Sequence, residues 1–166
     1  MVDRLSVPRQ PRLAILGSSI TALAVARNAS DLGLRPTILG AWNDAAFSTR
    51  RAEFREIDPD APTAALETLR ELATRGDTLL IATSDRWLRF IIAHRAALQE
   101  HFIDILHSAD TALEICLDKE RFSRWCMAQG LPTPSAYDAD ALRRDATGAR
   151  FPLLLRPIKS THSAGT

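Results

Sequence analysis

The sequence contains little cysteine, little lysine and almost no net charge. Its 166 residues include two cysteines and two lysines, and the formal net charge is +1 at pH 7. Two cysteines make no disulfide framework, which fits a reducing compartment, and we expect Cys116 and Cys126 to be small buried apolar side chains. A net charge so close to zero gives no reason to expect binding to nucleic acid or to an anionic membrane.

Long apolar runs are absent as well. No run approaches the roughly 18 apolar residues that a membrane-spanning helix requires, and the first residues lack the apolar segment of a secretion signal. His94 and His101 lie too far apart on one predicted helix to share a metal ion, and no carboxylate completes a site with either of them. We therefore expect a cytoplasmic protein with no membrane span and no metal ligands in this chain.

Short apolar runs alternate with amphipathic stretches along the first two thirds of the chain. Four segments are predicted as strands: residues 12–17, 35–40, 52–58 and 77–84. Three are predicted as helices: residues 18–33, 63–76 and 85–100. This alternation is typical of a parallel sheet with crossover helices, whose strands are covered on both faces. We predict an α/β fold over residues 10–110, a Rossmann-like parallel sheet with helices on both faces.

The turn after the first strand, Gly17-Ser18-Ser19, is the first candidate site. A dinucleotide-binding turn reads G-x-G-x-x-G, and its second glycine lets the backbone approach a pyrophosphate. Only the first glycine is present here, although a serine still allows the helix N-terminus to hold an anion. Three alternatives stay open: NAD or FAD binding, a tight turn without a ligand, and a site for an anionic or carboxylate-bearing small molecule.

Asp85 is the second candidate. It follows a buried strand at the predicted carboxyl edge of the sheet, where open α/β sheets bind ligands. Its carboxylate either caps the following helix or faces the amine of a substrate. We take Asp85, together with Gly17, Ser18 and Ser19, as the predicted substrate-binding residues.

The chain changes character after residue 110. The pair Asp118-Lys119 opens a predicted helix that ends at Gly130, with Asp118 as its N-cap. The helix is followed by Leu-Pro-Thr-Pro, by a turn-rich connector, and by the apolar segment FPLLLRP at residues 151–157, which we predict to be a strand. We therefore expect a second domain over residues 111–166.

This order of segments resembles the start of an ATP-grasp protein, most of all the carboxylate–amine ligase branch that includes D-aspartate ligase-like enzymes. The resemblance rests on the Asp-Lys helix, the Gly-Leu-Pro-Thr-Pro step and the FPLLLRP segment taken together. It implies a pre-ATP-grasp domain at residues 10–110 and an incomplete, truncated α+β ATP-grasp subdomain at residues 111–166. It also implies that Lys119, and Arg156 or Lys159, contact the phosphates of ATP. Arg156 stands where the family has a lysine.

The function that the resemblance implies is ATP-dependent joining of a carboxylate to an amine through an acyl phosphate, with ATP and Mg²⁺ as cofactors. The family's metal ligands lie beyond the matched segments, so we expect this chain to be inactive by itself. The alternatives are a stand-alone Rossmann-like module that binds a small molecule and, less favoured, a fragment of a dinucleotide-dependent oxidoreductase. The expected partners are small-molecule substrates, and both a monomer and a homodimer stay open.

Overall fold

The structure is a computed structural model, and it describes residues 10–42, 44–135 and 137–154. The chain divides into two compact units, the first ending at His107 and the second beginning at Ser108. This division lies close to the boundary that the sequence predicts. The identification of the two parts as domains of a ligase stays a prediction.

The first unit is built on a parallel five-stranded sheet. Its strands are β1 (Arg12–Leu16), β2 (Arg35–Gly40), β3 (Glu53–Glu56), β4 (Thr78–Ala82) and β5 (Asp104–Ile105). The strand order is β3-β2-β1-β4-β5, and every pair of neighbours is parallel. The sequence predicts four of these strands, three from apolar runs and β3 from Phe54 and Glu56 on one face, whereas the two-residue β5 is too short to produce a pattern. The predicted α/β fold with a parallel sheet is confirmed.

The helices of the first unit cover both faces of the sheet. They are α1 (Ile20–Asp31), α2 (Pro62–Ala73) and α3 (Asp85–Gln99), and a short 3-10 helix, Ala45–Ser48, precedes β3. Alternate residues of β1 belong to two separate apolar clusters, because successive side chains of a strand point to opposite faces. One cluster contains the buried residues of α2 and α3, and the other contains the buried alanines of α1.

The described part of the second unit is helical. It contains α4 (Asp110–Cys116), α5 (Lys119–Ala128) and α6 (Ala139–Arg144). Residues 151–154 are exposed and form no strand, in contrast to the sequence prediction, and the rest of the predicted strand lies outside the described residues. A strand needs a neighbour to accept and donate its backbone hydrogen bonds, and the described residues of this unit include no other strand.

Two further expectations can be compared with the structure. Cys126 is buried, as predicted, but Cys116 is exposed at the end of α4, so the prediction for Cys116 is wrong. Its helix has no buried residue, because a helix of two turns on a small unit has little core to face. Within the described ranges, no helix combines the length and the apolar character that crossing a membrane requires.

Candidate functional site

The carboxyl ends of β1 and β4 lie side by side, and the chain leaves them in opposite directions. After β1 it continues to α1 and β2 on one side, whereas β4 and β5 lie on the other side. Such a reversal of strand order opens a crevice outside the sheet, and open α/β sheets bind their ligands there. The segments that border this crevice are Gly17–Ser19 and Thr83–Asp85, which contain the four predicted substrate-binding residues.

Gly17 is required by the close approach of these two segments. Its φ is +111°, a conformation that other residues rarely adopt. A Cβ atom at this position would lie 2.5 Å from Thr83 Oγ1, which donates a hydrogen bond to the carbonyl oxygen of Leu16. Gly17 therefore serves the packing of the two segments against each other, and any role in binding would come from its backbone.

Ser18 is a structural residue. Its side chain is buried, and its Oγ donates to Asp44 Oδ2 at 3.0 Å and accepts from the backbone N–H of Ala41 at 3.2 Å. Its carbonyl oxygen also accepts from the N–H of Ala46 at 2.9 Å. These bonds tie the segment after β2 to the segment after β1, so the hydroxyl is occupied within the protein. These bonds favour a structural role for the Ser18 hydroxyl, and a contact of Ser18 with a substrate stays a prediction.

Ser19 and Asp85 keep their polar groups available at the crevice. Ser19 is the N-cap residue of α1, but its hydroxyl makes no capping hydrogen bond. Ser84, and not Asp85, caps α3, since its Oγ accepts from the N–H of Trp87. Within the part of the chain that the structure describes, no group hydrogen-bonds to the half-buried Asp85 carboxylate. A hydroxyl and a carboxylate at the crevice suit a polar ligand that carries an amine.

His107 was not predicted from the sequence, although it completes the same edge of the sheet. Its Nε2 accepts from the backbone N–H of Ala82 at 2.6 Å, so this nitrogen carries no proton. Partial burial, and in second place the positive charge of Arg95, hold the pKa of His107 below its ordinary value. The sequence signal is its position two residues after β5, and that strand is too short to be recognised.

The described part of the second unit includes one of the three residues that the sequence predicts as phosphate contacts. Lys119 is the first residue of α5 and is half-buried. Asp118 caps this helix as predicted, because its Oδ1 accepts from the N–H groups of Glu120 and Arg121, each at 3.0 Å. Those two N–H groups are thus already bonded within the protein. A contact between the ammonium of Lys119 and a phosphate stays a prediction. Arg156 and Lys159 lie outside the described residues.

The described residues do not form a metal site. Across residues 10–42, 44–135 and 137–154, no group of three or more His, Cys, Asp or Glu side chains is arranged to hold a metal ion. Lys119 at the start of α5 does not by itself form a nucleotide site, because such a site needs several hydrogen-bond donors around the phosphates. These residues therefore do not fit ATP and Mg²⁺ without further groups.

Comparison with solved structures identifies the fold. An L-amino acid ligase from Bacillus licheniformis matches with a TM-score of 0.62 and 18% identity over 92% of this chain. The N5-carboxyaminoimidazole ribonucleotide synthetases from Thermus thermophilus and Thermotoga maritima match over 80% of this chain, with TM-scores of 0.57 and 0.53 and identities of 19% and 15%. This chain has the fold of the N-terminal part of ATP-grasp ligases.

The match is partial on the side of these ligases. The chain covers 37% of the L-amino acid ligase and 34% and 36% of the two synthetases, so it spans about a third of the proteins that it resembles. No protein-family model and no curated protein sequence matches the chain. At these identities the likeness establishes the fold, and the ATP-grasp resemblance predicted from the sequence is confirmed at that level.

Proposed function

We propose that this chain is the N-terminal part of an ATP-dependent carboxylate–amine ligase that works through an acyl phosphate. The proposal is supported by the structural match to three ATP-grasp ligases and by the Asp-Lys helix, which begins at the predicted place. ATP and Mg²⁺ are the proposed cofactors of the complete enzyme, and a small carboxylate and an amine are its proposed substrates. The described residues lack a metal site, so no catalytic step is assigned to them.

The observation that carries the proposal is the reversal of strand order at the carboxyl ends of β1 and β4, where open α/β sheets bind ligands. Ser19 and Asp85 follow these two strands on different segments, and neither side chain serves as a helix cap. A carboxylate binds a substrate ammonium group through a charge-assisted hydrogen bond, and a hydroxyl can both donate and accept. We assign this crevice to the amine-bearing substrate, with Asp85 as the ammonium contact and Ser19 as a second polar contact.

A dinucleotide-dependent oxidoreductase is disfavoured by Ser19 and by the hydrogen bonds of Asp44. In a dinucleotide-binding turn the second glycine leaves space for the pyrophosphate, and an acidic residue further along binds the ribose. Here Ser19, two residues after Gly17, stands at the position of the second glycine. Asp44 uses both carboxylate oxygens, one for Ser18 and one for the N–H of Ala45. The acidic residue nearest to the end of β2 is therefore occupied within the protein.

The assignment is tested by titrating the ¹⁵N-labelled chain with free amino acids while recording amide spectra. We expect shifts at Gly17, Ser19 and Asp85, and an affinity reduced by about tenfold or more in Asp85→Asn, because a charge-assisted hydrogen bond is lost. Asp77→Asn is the matched control, since Asp77 directly precedes β4 and so lies at the end of this strand that is opposite to Asp85.

The outcome decides between the alternatives. Shifts confined to the crevice that disappear in Asp85→Asn support the amine site. Equal weakening in Asp77→Asn and Asp85→Asn, or shifts elsewhere, contradict it. Shifts at residues 17–19 on addition of NADH would instead favour the oxidoreductase alternative.

A further inference from the structure

The strand β3 lies at one edge of the sheet and has a free side. It pairs only with β2 in the strand order, so one side of its backbone faces away from the sheet. The N–H of Ile57 donates to the carbonyl oxygen of Gly40 at 3.3 Å, which orients Ile57 toward β2. The backbone N–H and C=O groups of successive residues in a strand point to alternate sides. The backbone groups of Glu53 and Arg55 therefore also point toward β2, whereas those of Phe54 and Glu56 point away from the sheet. No described residue bonds to these outward groups.

An edge strand with free backbone groups can pair with a strand of another molecule unless its side chains prevent this. Charged side chains usually prevent such pairing, because like charges would lie opposite each other on the two strands. The sequence of β3 is Glu-Phe-Arg-Glu, in which Phe54 is flanked by one acidic and one basic residue. Its charges can therefore repel or attract a second copy of the same strand, depending on the register.

One antiparallel register satisfies both the backbone and the charges. With Phe54 opposite Phe54 of a second copy, two outward-facing residues exchange their hydrogen bonds, and Glu53 lies opposite Arg55 on both sides of the two-fold axis. A shift of one strand by one residue, in either direction, places a residue whose backbone groups point outward opposite a residue whose backbone groups point toward β2, so the hydrogen bonds cannot form. A shift by two steps places Arg55 opposite Arg55, or Glu53 opposite Glu53. Each of these other registers thus mismatches the backbone or brings like charges together.

The side chain of Phe54 belongs to an aromatic group that would lie at the same axis. Its ring contacts Trp42 and Phe47, with centroid distances of 5.1 and 5.2 Å, and Trp42 contacts Phe47 at 4.2 Å. Trp42 and Phe47 are both more than 40% exposed, at 44% and 43%. Large exposed aromatic side chains beside a free strand edge are typical of protein–protein interfaces.

We propose that two copies of this chain associate through β3 in an antiparallel register centred on Phe54, which joins the two sheets into one. The interface consists of the outward backbone groups of β3, the reciprocal Glu53–Arg55 pairs and the aromatic group of Trp42, Phe47 and Phe54. The second copy is favoured as the occupant because the charges of β3 are complementary to themselves. This inference does not depend on the proposed ligase activity.

The charge pairs provide the first test, by sedimentation velocity over a concentration series. The wild-type chain is expected to form a dimer. Arg55→Glu and Glu53→Lys each place like charges opposite each other twice, and each should weaken the dimer by at least about tenfold. A mixture of these two variants restores opposite charges at both pairs and should form a heterodimer. Glu53 also pairs with Arg12 and Arg75 within its own chain, so circular dichroism must first show that Glu53→Lys is folded.

The second test measures the register with a disulfide. Hydrogen-bonded antiparallel partners have Cα atoms about 5.5 Å apart, which lies within the range that a disulfide spans. Phe54→Cys, in a chain with the exposed Cys116 changed to serine, should therefore cross-link to itself on mild oxidation, whereas Arg55→Cys should not. A wild-type chain that stays monomeric throughout, a dimer that Arg55→Glu leaves intact, or cross-linking of Arg55→Cys but not Phe54→Cys would overturn the proposal.

Discussion

At the scale of single residues, the segments at the carboxyl ends of the strands depend on two glycines that leave space for neighbouring hydroxyl groups. A Cβ atom on Gly17 would lie 2.5 Å from Thr83 Oγ1, and one on Gly40 would lie 2.5 Å from Ser18 Oγ. The two contacts bring together the segments that follow β1, β2 and β4. The crevice that we assign to a substrate is thus shaped by residues that need not touch the substrate themselves.

Gly40→Ala is expected to destabilise the first unit by about 1–3 kcal/mol, which is the usual cost of overpacking. Besides the hydroxyl, the new methyl group would lie 2.7 Å from Ser18 Cβ and 3.0 Å from its backbone nitrogen, so the backbone must move. Urea unfolding followed by circular dichroism measures the change. Gly148→Ala is the control, since nothing lies within 4 Å of its Cβ position.

A double variant separates steric crowding from other effects of Gly40→Ala. Ser18→Gly removes the clashing side chain but also its hydrogen bonds to Asp44 and Ala41, so it should be destabilising by itself. In the double variant Gly40→Ala, Ser18→Gly, the loss in free energy of unfolding should be clearly smaller than the sum of the losses in the two single variants. Additive losses would show that crowding against Ser18 is not the cause.

His107 shows how one side chain can take the place of a backbone partner. β5 ends at Ile105, and the imidazole of His107 accepts the N–H of Ala82, the last residue of β4. The bond requires an unprotonated Nε2, because a protonated imidazole has no acceptor. The end of β4 therefore depends on the neutral form of His107.

Folding stability should consequently fall in mildly acidic solution. The pKa of His107 is lowered in the folded state, mainly by burial, so the unfolded chain binds the proton first as the pH falls. The contribution is complete above the ordinary histidine pKa of about 6.5 and is lost as the pH drops from there toward the folded-state pKa. Urea unfolding at several pH values measures this loss.

Replacing the histidine tests the assignment. His107→Asn keeps a side-chain acceptor that does not titrate near neutrality, so it should remove part of the pH dependence. His101→Asn, which replaces a histidine at an exposed position, is the matched control. An unchanged profile in His107→Asn would mean that other groups cause the acid sensitivity.

At the scale of secondary-structure elements, the two units differ in how their segments are held. β4 lies between β1 and β5 and is paired along both sides. The apolar residues 151–154 are exposed, with Leu154 at 87%, and they have no strand partner among the described residues. An apolar segment of strand-like composition stays outside a sheet when no neighbouring strand is present to pair with it.

Hydrogen exchange should reveal this difference directly. The amide of Leu80 in β4 should exchange only through large-scale unfolding, whereas the amides of Leu153 and Leu154 should exchange through local opening and far faster. Peptide-level exchange followed by mass spectrometry is sufficient, with α2 as a reference of intermediate protection. Similar protection of β4 and residues 151–154 would show that the segment is held by contacts that the structure lacks.

At the scale of the whole molecule, the chain spans about a third of the ligases whose fold it shares. Ligation driven by ATP requires several cationic groups and a metal ion that bridges the phosphates. The described residues supply Lys119 and no metal cluster. The activity that we propose therefore requires groups in addition to those described.

We expect the 166-residue chain to release no ADP from ATP and Mg²⁺ above a protein-free control. Loss of the metal alone removes several kcal/mol of transition-state stabilisation, and each 1.4 kcal/mol is about a tenfold loss of rate. A coupled ADP assay with amino acids as acceptors measures the release. Sustained, magnesium-dependent ADP release by this chain would contradict the expectation.

Any longer form of the protein that does release ADP would allow Lys119 to be tested. Lys119→Ala should reduce nucleotide affinity by about tenfold or more if the ammonium contacts a phosphate. Arg124→Ala is the control on the same helix, where Arg124 pairs only with Glu120 among the described residues. Equal effects of the two substitutions would indicate a general loss of charge and not a phosphate contact.

The sequence by itself determined the parallel α/β architecture, four of the five strands and the Asp118 cap of α5. Each of these follows from patterns within one segment, namely apolar runs, helical periodicity and capping residues. The tertiary structure decided that Ser18 bonds to Asp44, that His107 accepts from Ala82, and that residues 151–154 form no strand. These features depend on which segments become neighbours, and the strand order that makes them neighbours is not encoded in any one segment.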